Sequence, residues 1–221
     1  MRLLVLISAG AEWRAVKEIL APPDVQTTVM GETFVDRGVT WFHGGWGKIS
    51  AAASAQYSID RYQPDLLVNL GTCGGFEGRI ERGTIILVER TIVYDIQEQM
   101  SDPQAAIAHY STDLDLSWLA NPLPGKVHRG LLVSADRDIL PADIPGLVKE
   151  YGAVAADWES GAIAWVARKN KVKCLILRGV SDLVSERGGE AYDNIQFFHE
   201  STLAIMKQLV DELPDWLARI K

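Results

Sequence analysis

The chain has 221 residues, 48% hydrophobic and 23% charged, enough for one sizeable packed domain. Twenty-nine acids against 22 lysines and arginines give a net charge of -7, which argues against nucleic acid or an anionic membrane as partner. Two cysteines in apolar or glycine-rich surroundings fit reduced thiols in a cytoplasmic protein, and four scattered histidines lack metal-ligand spacing, so no metal or organic cofactor is expected.

The first apolar run, LLVLIS at 3–8, meets Glu12, Arg14 and Lys17 too soon for a signal peptide or a membrane span. It reads as a buried strand leading into a helix over 12–20. VTWFHG (39–44) predicts a second strand, followed by the turn GGWGKI and a helix over 48–62. LLVNLG (66–71) exits through Thr72, Cys73 and Gly74, and TIILVE (84–89) is the next strand. The segment 97–126 breaks this rhythm with Asp102-Pro103, Asn121-Pro122 and Pro124-Gly125, and reads as an insertion, a lid or interface element within one domain. HRGLLVS (128–134) and KCLILRGVS (173–181) are further strands, and helical patterns cover 143–151, 159–169 and 191–212. Strands apolar at nearly every position, alternating with helices, indicate an α/β fold whose largely parallel sheet is covered on both faces.

In such sheets ligands gather beyond the carboxyl ends of the strands, where this chain concentrates glycines and acids. Each local motif also has a plainer explanation. Asp157 and Glu159 fit the cap and first turn of the helix at 159–169. Asp182 fits a turn cap or a partner for Arg178 or Arg187, and Glu12 complements a helix dipole. Arg137 fits an internal ion pair with Asp136 or Asp138. GGWGKI lacks the spacing and the Ser or Thr of a nucleotide-phosphate loop, so ATP or GTP hydrolysis is not expected.

Taken in order, GGWGKISAAA, PDLLVNLGTCGGF, ERGTIILVE, GLLVSADRDI, DWESGAIA and LRGVSD resemble the purine nucleoside phosphorylase and methylthioadenosine/S-adenosylhomocysteine nucleosidase superfamily. The resemblance implies a three-layer α/β/α sandwich and cleavage of the N-glycosidic bond of a purine nucleoside. It places Glu159 on the ribose 2′- and 3′-hydroxyls and counts Asp157, the first acid of the same motif, among the substrate-binding residues. Trp158 stands where the family has methionine beneath the sugar. Asp182 becomes the acid serving purine N7, oriented by Ser181, while main-chain atoms of Ile139 meet the base edge. Thr72, Cys73 and Gly74 line the base and the anomeric side.

The family's phosphorylases hold phosphate with an arginine at the position occupied here by Asn69, and its nucleosidases activate water with a glutamate after the first strand, matching Glu12. Hydrolysis is therefore the expected reaction. Gly10 and Arg14 retain a phosphorylase-like spacing, so a phosphate-dependent phosphorylase is the alternative, and a noncatalytic nucleoside-binding module is the second. The resemblance also implies a homo-oligomer, a dimer or a hexamer. The substituent at the 5′ position stays open, from methylthio and homocysteine groups to adenosine itself.

Overall fold

The computed structural model describes all 221 residues. Its first part holds β1 (Leu3–Ile7), α1 (Gly10–Leu20), β2 (Gln26–Thr28), β3 (Gly31–Asp36), β4 (Val39–His43) and α2 (Gly47–Tyr62). Next come β5 (Leu66–Phe76), β6 (Ile85–Val93), α3 (Pro103–Tyr110), β7 (Thr112–Asp113) and β8 (Val127–Ser134). The rest comprises a 3₁₀ turn at Pro141–Asp143, α4 (Ile144–Tyr151), β9 (Ala155–Asp157), α5 (Ser160–Lys169), β10 (Lys173–Ser185), β11 (Gly188–Gly189) and α6 (Ile195–Leu217).

Side chains alternate across the central strands, as the two-residue period requires. Val5, Ile7, Val68, Leu70, Leu175 and Leu177 face α1 and α6, where Trp13, Val16, Leu209, Leu213 and Trp216 are buried. Leu4, Leu6, Leu67, Cys174 and Ile176 face α2 and α5, against Ala51, Ala55, Ile59, Ile163 and Ala167. Both faces are therefore covered, and the three-layer α/β/α arrangement holds.

The sheet is mixed. β4, β1, β5 and β10 run parallel, and the β2–β3–β4 edge is antiparallel. Beyond β5 the sheet closes on itself, because β5, β10, β6, β8 and β9 pair in a ring. β5 pairs with β1 over Leu66–Asn69 and with β9 at Gly74 and Gly75. A Cβ on Gly75 would stand 2.7–2.9 Å from Val180, Ile80 and Leu183, so the tight bend requires glycine.

The strand and helix positions follow the sequence expectations, with extensions at β5, β6 and β10 and a helix α6 that starts and ends later. Six elements carry no strong local signal: β2, β3, α3, β7, β9 and β11. Within 97–126, α3 packs against β6 and α5, and Trp118 and Leu119 are buried in the core beside α6. No residue of 97–126 lines the large cavity described below. No helix is long and apolar enough to cross a membrane.

Candidate active site

The carboxyl ends of β1, β5 and β10, together with β9 and the start of α6, open onto a cavity of about 1010 Å³. Glu12, Asp157, Trp158, Glu159, Thr72, Cys73, Gly74, Ile139, Ser181 and Asp182 all line it. Acids from three distant parts of the chain thus meet in one space.

Glu12 lies in the first turn of α1. Trp13 and Lys17 hold this helix by donating to Glu32 Oε2 at 2.6 and 2.7 Å. The Glu12 Oε1 atom accepts from the Thr72 amide at 2.6 Å and the Thr72 hydroxyl at 2.9 Å, and Oε2 accepts from the Ala9 amide at 3.2 Å. Burial raises its pKa, opposed by the nearby Arg178 guanidinium and by these donors. A Cβ on Gly71 would sit 2.8 Å from Glu12 Oε1 and 3.1 Å from Arg178 Nη1, so the two side chains converge above a residue that must be small.

Asp182 owes its direction to an irregularity. β10 pairs residue by residue with β5 up to Val180–Cys73, then resumes at Asp182–Gly74, leaving Ser181 without a partner. Such a bulge re-aims the side chains around it. The Ser181 hydroxyl lies 2.6 Å from Asp182 Oδ1 and fixes the carboxyl. Asp182 is buried, and desolvation raises its pKa despite the Ser181 hydrogen bond. It pairs with neither Arg178 nor Arg187.

Glu159 precedes α5 and makes no cap with its side chain. Its Oε1 atom instead accepts from the Gly47 amide at 3.0 Å, across the cavity. Burial first, then the neighbouring Asp157 and Glu12, push its pKa up to about 8. Gly47 itself has φ +82°, a conformation that favours glycine, and its indole neighbour Trp46 stacks on Trp158 with centroids 4.7 Å apart. The GGWGKI turn therefore belongs to the site, although a Cβ on Gly44 would also meet Ser54 and Leu6, as close helix–strand packing demands.

Asp157 is differently employed. Its oxygens accept from the Ser134 hydroxyl (2.6 Å), the Ser160 amide and hydroxyl, and Arg178 Nε (2.9 Å). It caps α5 locally, as the sequence suggested, but its acceptor capacity is consumed within the protein. Arg178, 1% exposed, bonds Asn69 Oδ1 through Nη2, and Asn69 donates back to the Leu6 carbonyl. Arg137 does not pair with Asp136 or Asp138; it reaches Asp143 at 2.7 Å. Truncating Arg178 to methionine leaves the Asp157 charge buried and unpaired, so urea denaturation is expected to show a loss of roughly 3–5 kcal/mol. An unchanged midpoint would show that the Arg178–Asp157 pair adds nothing to stability.

The sequence of the phosphorylase superfamily matches this chain over residues 8–213. The chain belongs to the phosphorylase superfamily. Within it, a 5′-methylthioadenosine/S-adenosylhomocysteine nucleosidase of Maridesulfovibrio salexigens is 31% identical over 166 residues, covering 69% of this chain and 71% of that relative. The nucleosidase of the same description from Buchnera aphidicola is 25% identical over an alignment of 229 residues, covering 96% and 97%. Among solved folds, the nucleosidase of Neisseria meningitidis in complex with methylthio-immucillin-A superposes with a TM-score of 0.76 at 19% identity, over 97% of this chain and 99% of the other. That of Streptococcus pneumoniae with 8-aminoadenine gives 0.76 at 17%, over the full length of both.

Three participants of this phosphorylase-superfamily site carry no catalytic signal in the sequence. Arg178 sits inside an apolar strand, Trp46 in a glycine turn and Tyr192 at the start of a helical pattern. The one signal at Arg178 is structural, since an arginine in the middle of a buried strand demands an acid nearby.

Proposed function

We propose that the protein is a nucleosidase that hydrolyses the N-glycosidic bond of a 5′-modified adenosine, such as 5′-methylthioadenosine or S-adenosylhomocysteine, to adenine and the ribose derivative. The observation that carries this reading is the convergence of Glu12, Glu159 and Asp182 on one cavity, with environments that separate their roles.

As the bond from the sugar to the base lengthens, positive charge grows on the sugar and negative charge on the purine. Asp182, whose burial favours the protonated carboxyl, donates its proton to N7 and the base departs with the bonding electron pair. Water attacks the anomeric carbon and gives a proton to Glu12, whose orientation Thr72 and Ala9 fix. Glu159 accepts from the ribose hydroxyls through its free oxygen, and Trp158 forms the floor beneath the sugar. Asp157 positions this segment through Arg178 and Ser160 and does not touch the substrate.

Asn69 supports water over phosphate as nucleophile. Its side chain is turned inward to Leu6 and Arg178, leaving no cation at the position the phosphorylases use. One observation favours the second reading, phosphorolysis: Arg14 lines the cavity and forms no ion pair. Incubation with a nucleoside panel, with and without phosphate, separates the two. Base release that needs no phosphate is expected; strict phosphate dependence selects the alternative, and binding without release selects a noncatalytic module. We also place the protein in the cytoplasm as a homodimer, a state that sedimentation checks.

The raised pKa of Glu159 has a measurable sign. Below about pH 8 the empty site holds a proton on this carboxyl. Ribose hydroxyls donate to its ionised form, so binding releases that proton and strengthens as pH rises, levelling off above pH 8. The Kd of an uncleavable ribonucleoside analogue is expected to fall by up to about tenfold per pH unit between 6 and 8. Glu159→Gln flattens this profile. A wild-type Kd independent of pH would contradict the ribose assignment.

A further inference from the structure

At the end of the cavity that holds Asp182, a tyrosine from a different segment meets the main chain of Ile139. The Tyr192 hydroxyl donates to the Ile139 carbonyl at 2.8 Å. Both residues line the cavity, with Ser181 and Asp182. A Cβ on Gly74 would stand 2.7 Å from Ile139 Cδ1 and 3.9 Å from Asp182 Oδ2, which locates Ile139 and the acid on either side of one glycine. Nothing in the family resemblance gives Tyr192 a role.

The tyrosine is held at both ends. Its ring lies so close to Gly189 that a Cβ there would approach three ring carbons at 2.7–2.9 Å. That glycine belongs to a turn fixed by Glu190, whose amide donates to the Leu183 carbonyl while its carboxylate accepts from the Leu183 amide at 2.9 Å. The ring is pinned by the turn and the hydroxyl by Ile139.

We propose that Tyr192 is a specificity-determining residue that selects a 6-amino purine over a 6-oxo purine, by showing the base only hydrogen-bond acceptors. The argument is one of inventory. A tyrosine hydroxyl has one hydrogen, and here it is committed to the Ile139 carbonyl. Both residues line the cavity, and the capacity they have left for a ligand there is that of acceptors, Tyr192 Oη and the spare lone pair of Ile139 O. An exocyclic amino group supplies hydrogens to both. A 6-oxo group sets oxygen against oxygen. To greet it, the hydroxyl must abandon Ile139, which is buried, and leave that carbonyl without a partner. Tyr192 is 38% exposed, but partial desolvation and the carboxylates of Asp138 and Asp182 raise its pKa to about 12, so the hydroxyl keeps its hydrogen across the working pH range. Sites that use buried polar groups in this way discriminate more strongly than apolar pockets do.

This inference rests on the nucleosidase reading for its substrates, so it is tested by turnover and by binding of free bases. The turnover arm compares kcat/KM for 5′-methylthioadenosine and 5′-methylthioinosine; the binding arm compares calorimetric Kd values for adenine and hypoxanthine. Tyr192→Phe is expected to lower the amino-to-oxo preference by about tenfold in both arms, mainly through KM in the first. Gly189→Ala, which pushes the ring off its seat, shifts both ratios in the same direction. Unchanged ratios in Tyr192→Phe overturn the proposal. So does equal tightening of both bases, which makes the tyrosine a gate competing for Ile139. A wild-type protein that releases no base defeats the nucleosidase reading alone, because the adenine-to-hypoxanthine ratio still decides the role of Tyr192.

Discussion

Asp182→Asn is expected to lower kcat by roughly 10²–10⁴-fold while changing substrate affinity little. The asparagine side chain has nearly the same shape and keeps the Ser181 contact through its carbonyl oxygen. Its amide still hydrogen-bonds a purine nitrogen, but it has no proton to give up. The loss therefore falls on the step in which the base leaves, where the departing electron pair must be neutralised. Steady-state kinetics with 5′-methylthioadenosine checks this, together with adenine binding as a control for an intact pocket. A variant whose kcat survives while KM rises would show that Asp182 holds the substrate and does not protonate it. Raised pKa also fixes the pH dependence: the acid is active while protonated, so turnover declines as pH climbs past its folded-state value, and Asp182→Asn removes that limb.

Glu12→Gln is the second large effect, again roughly 10²–10⁴-fold in kcat. Two of the three donors aimed at this side chain, the Thr72 amide and hydroxyl, are satisfied by the glutamine oxygen. The third, the Ala9 amide, then faces the glutamine NH₂, so donor meets donor and the loop between β1 and α1 is disturbed as well. The variant cannot take a proton from water. Added phosphate should not restore its activity. Glu12→Gln that remains active only with phosphate would move the protein to the phosphorylase reading and shift attention to Arg14.

The local code of the chain carried most of the framework. Runs such as LLVLI, LLVNL and KCLILR are apolar at successive positions because both faces of the sheet are covered, and that is visible without a structure. The closed ring was not visible. It depends on Gly74 and Gly75 letting β5 turn from β1 towards the three-residue β9, a pairing between positions about 80 residues apart that leaves no local period.

The acids of the site were legible by type and place, but their division of labour was not. Asp157 and Glu159 are two residues apart, and composition gives no reason to treat them differently. Only the position of Arg178, whose guanidinium lies 2.9 Å from Asp157, turns one into a fixture and leaves the other with a free oxygen. Arg178 was legible as an anomaly and its partner was not, because Asp182, only four residues away and far nearer than any other acid of the site, was the obvious candidate by sequence. Tyr192 was hidden for a further reason: the helix it was assigned to begins three residues later, at Ile195.

The skipped residue at Ser181 limits how far this protein can be made heat-resistant without losing its chemistry. Engineering for thermal endurance commonly regularises strands and fills gaps in their pairing. Here a regular β10 would gain a rung of the ladder at the place where the proton donor gets its aim, so that a hardier scaffold at this position would be an idle one.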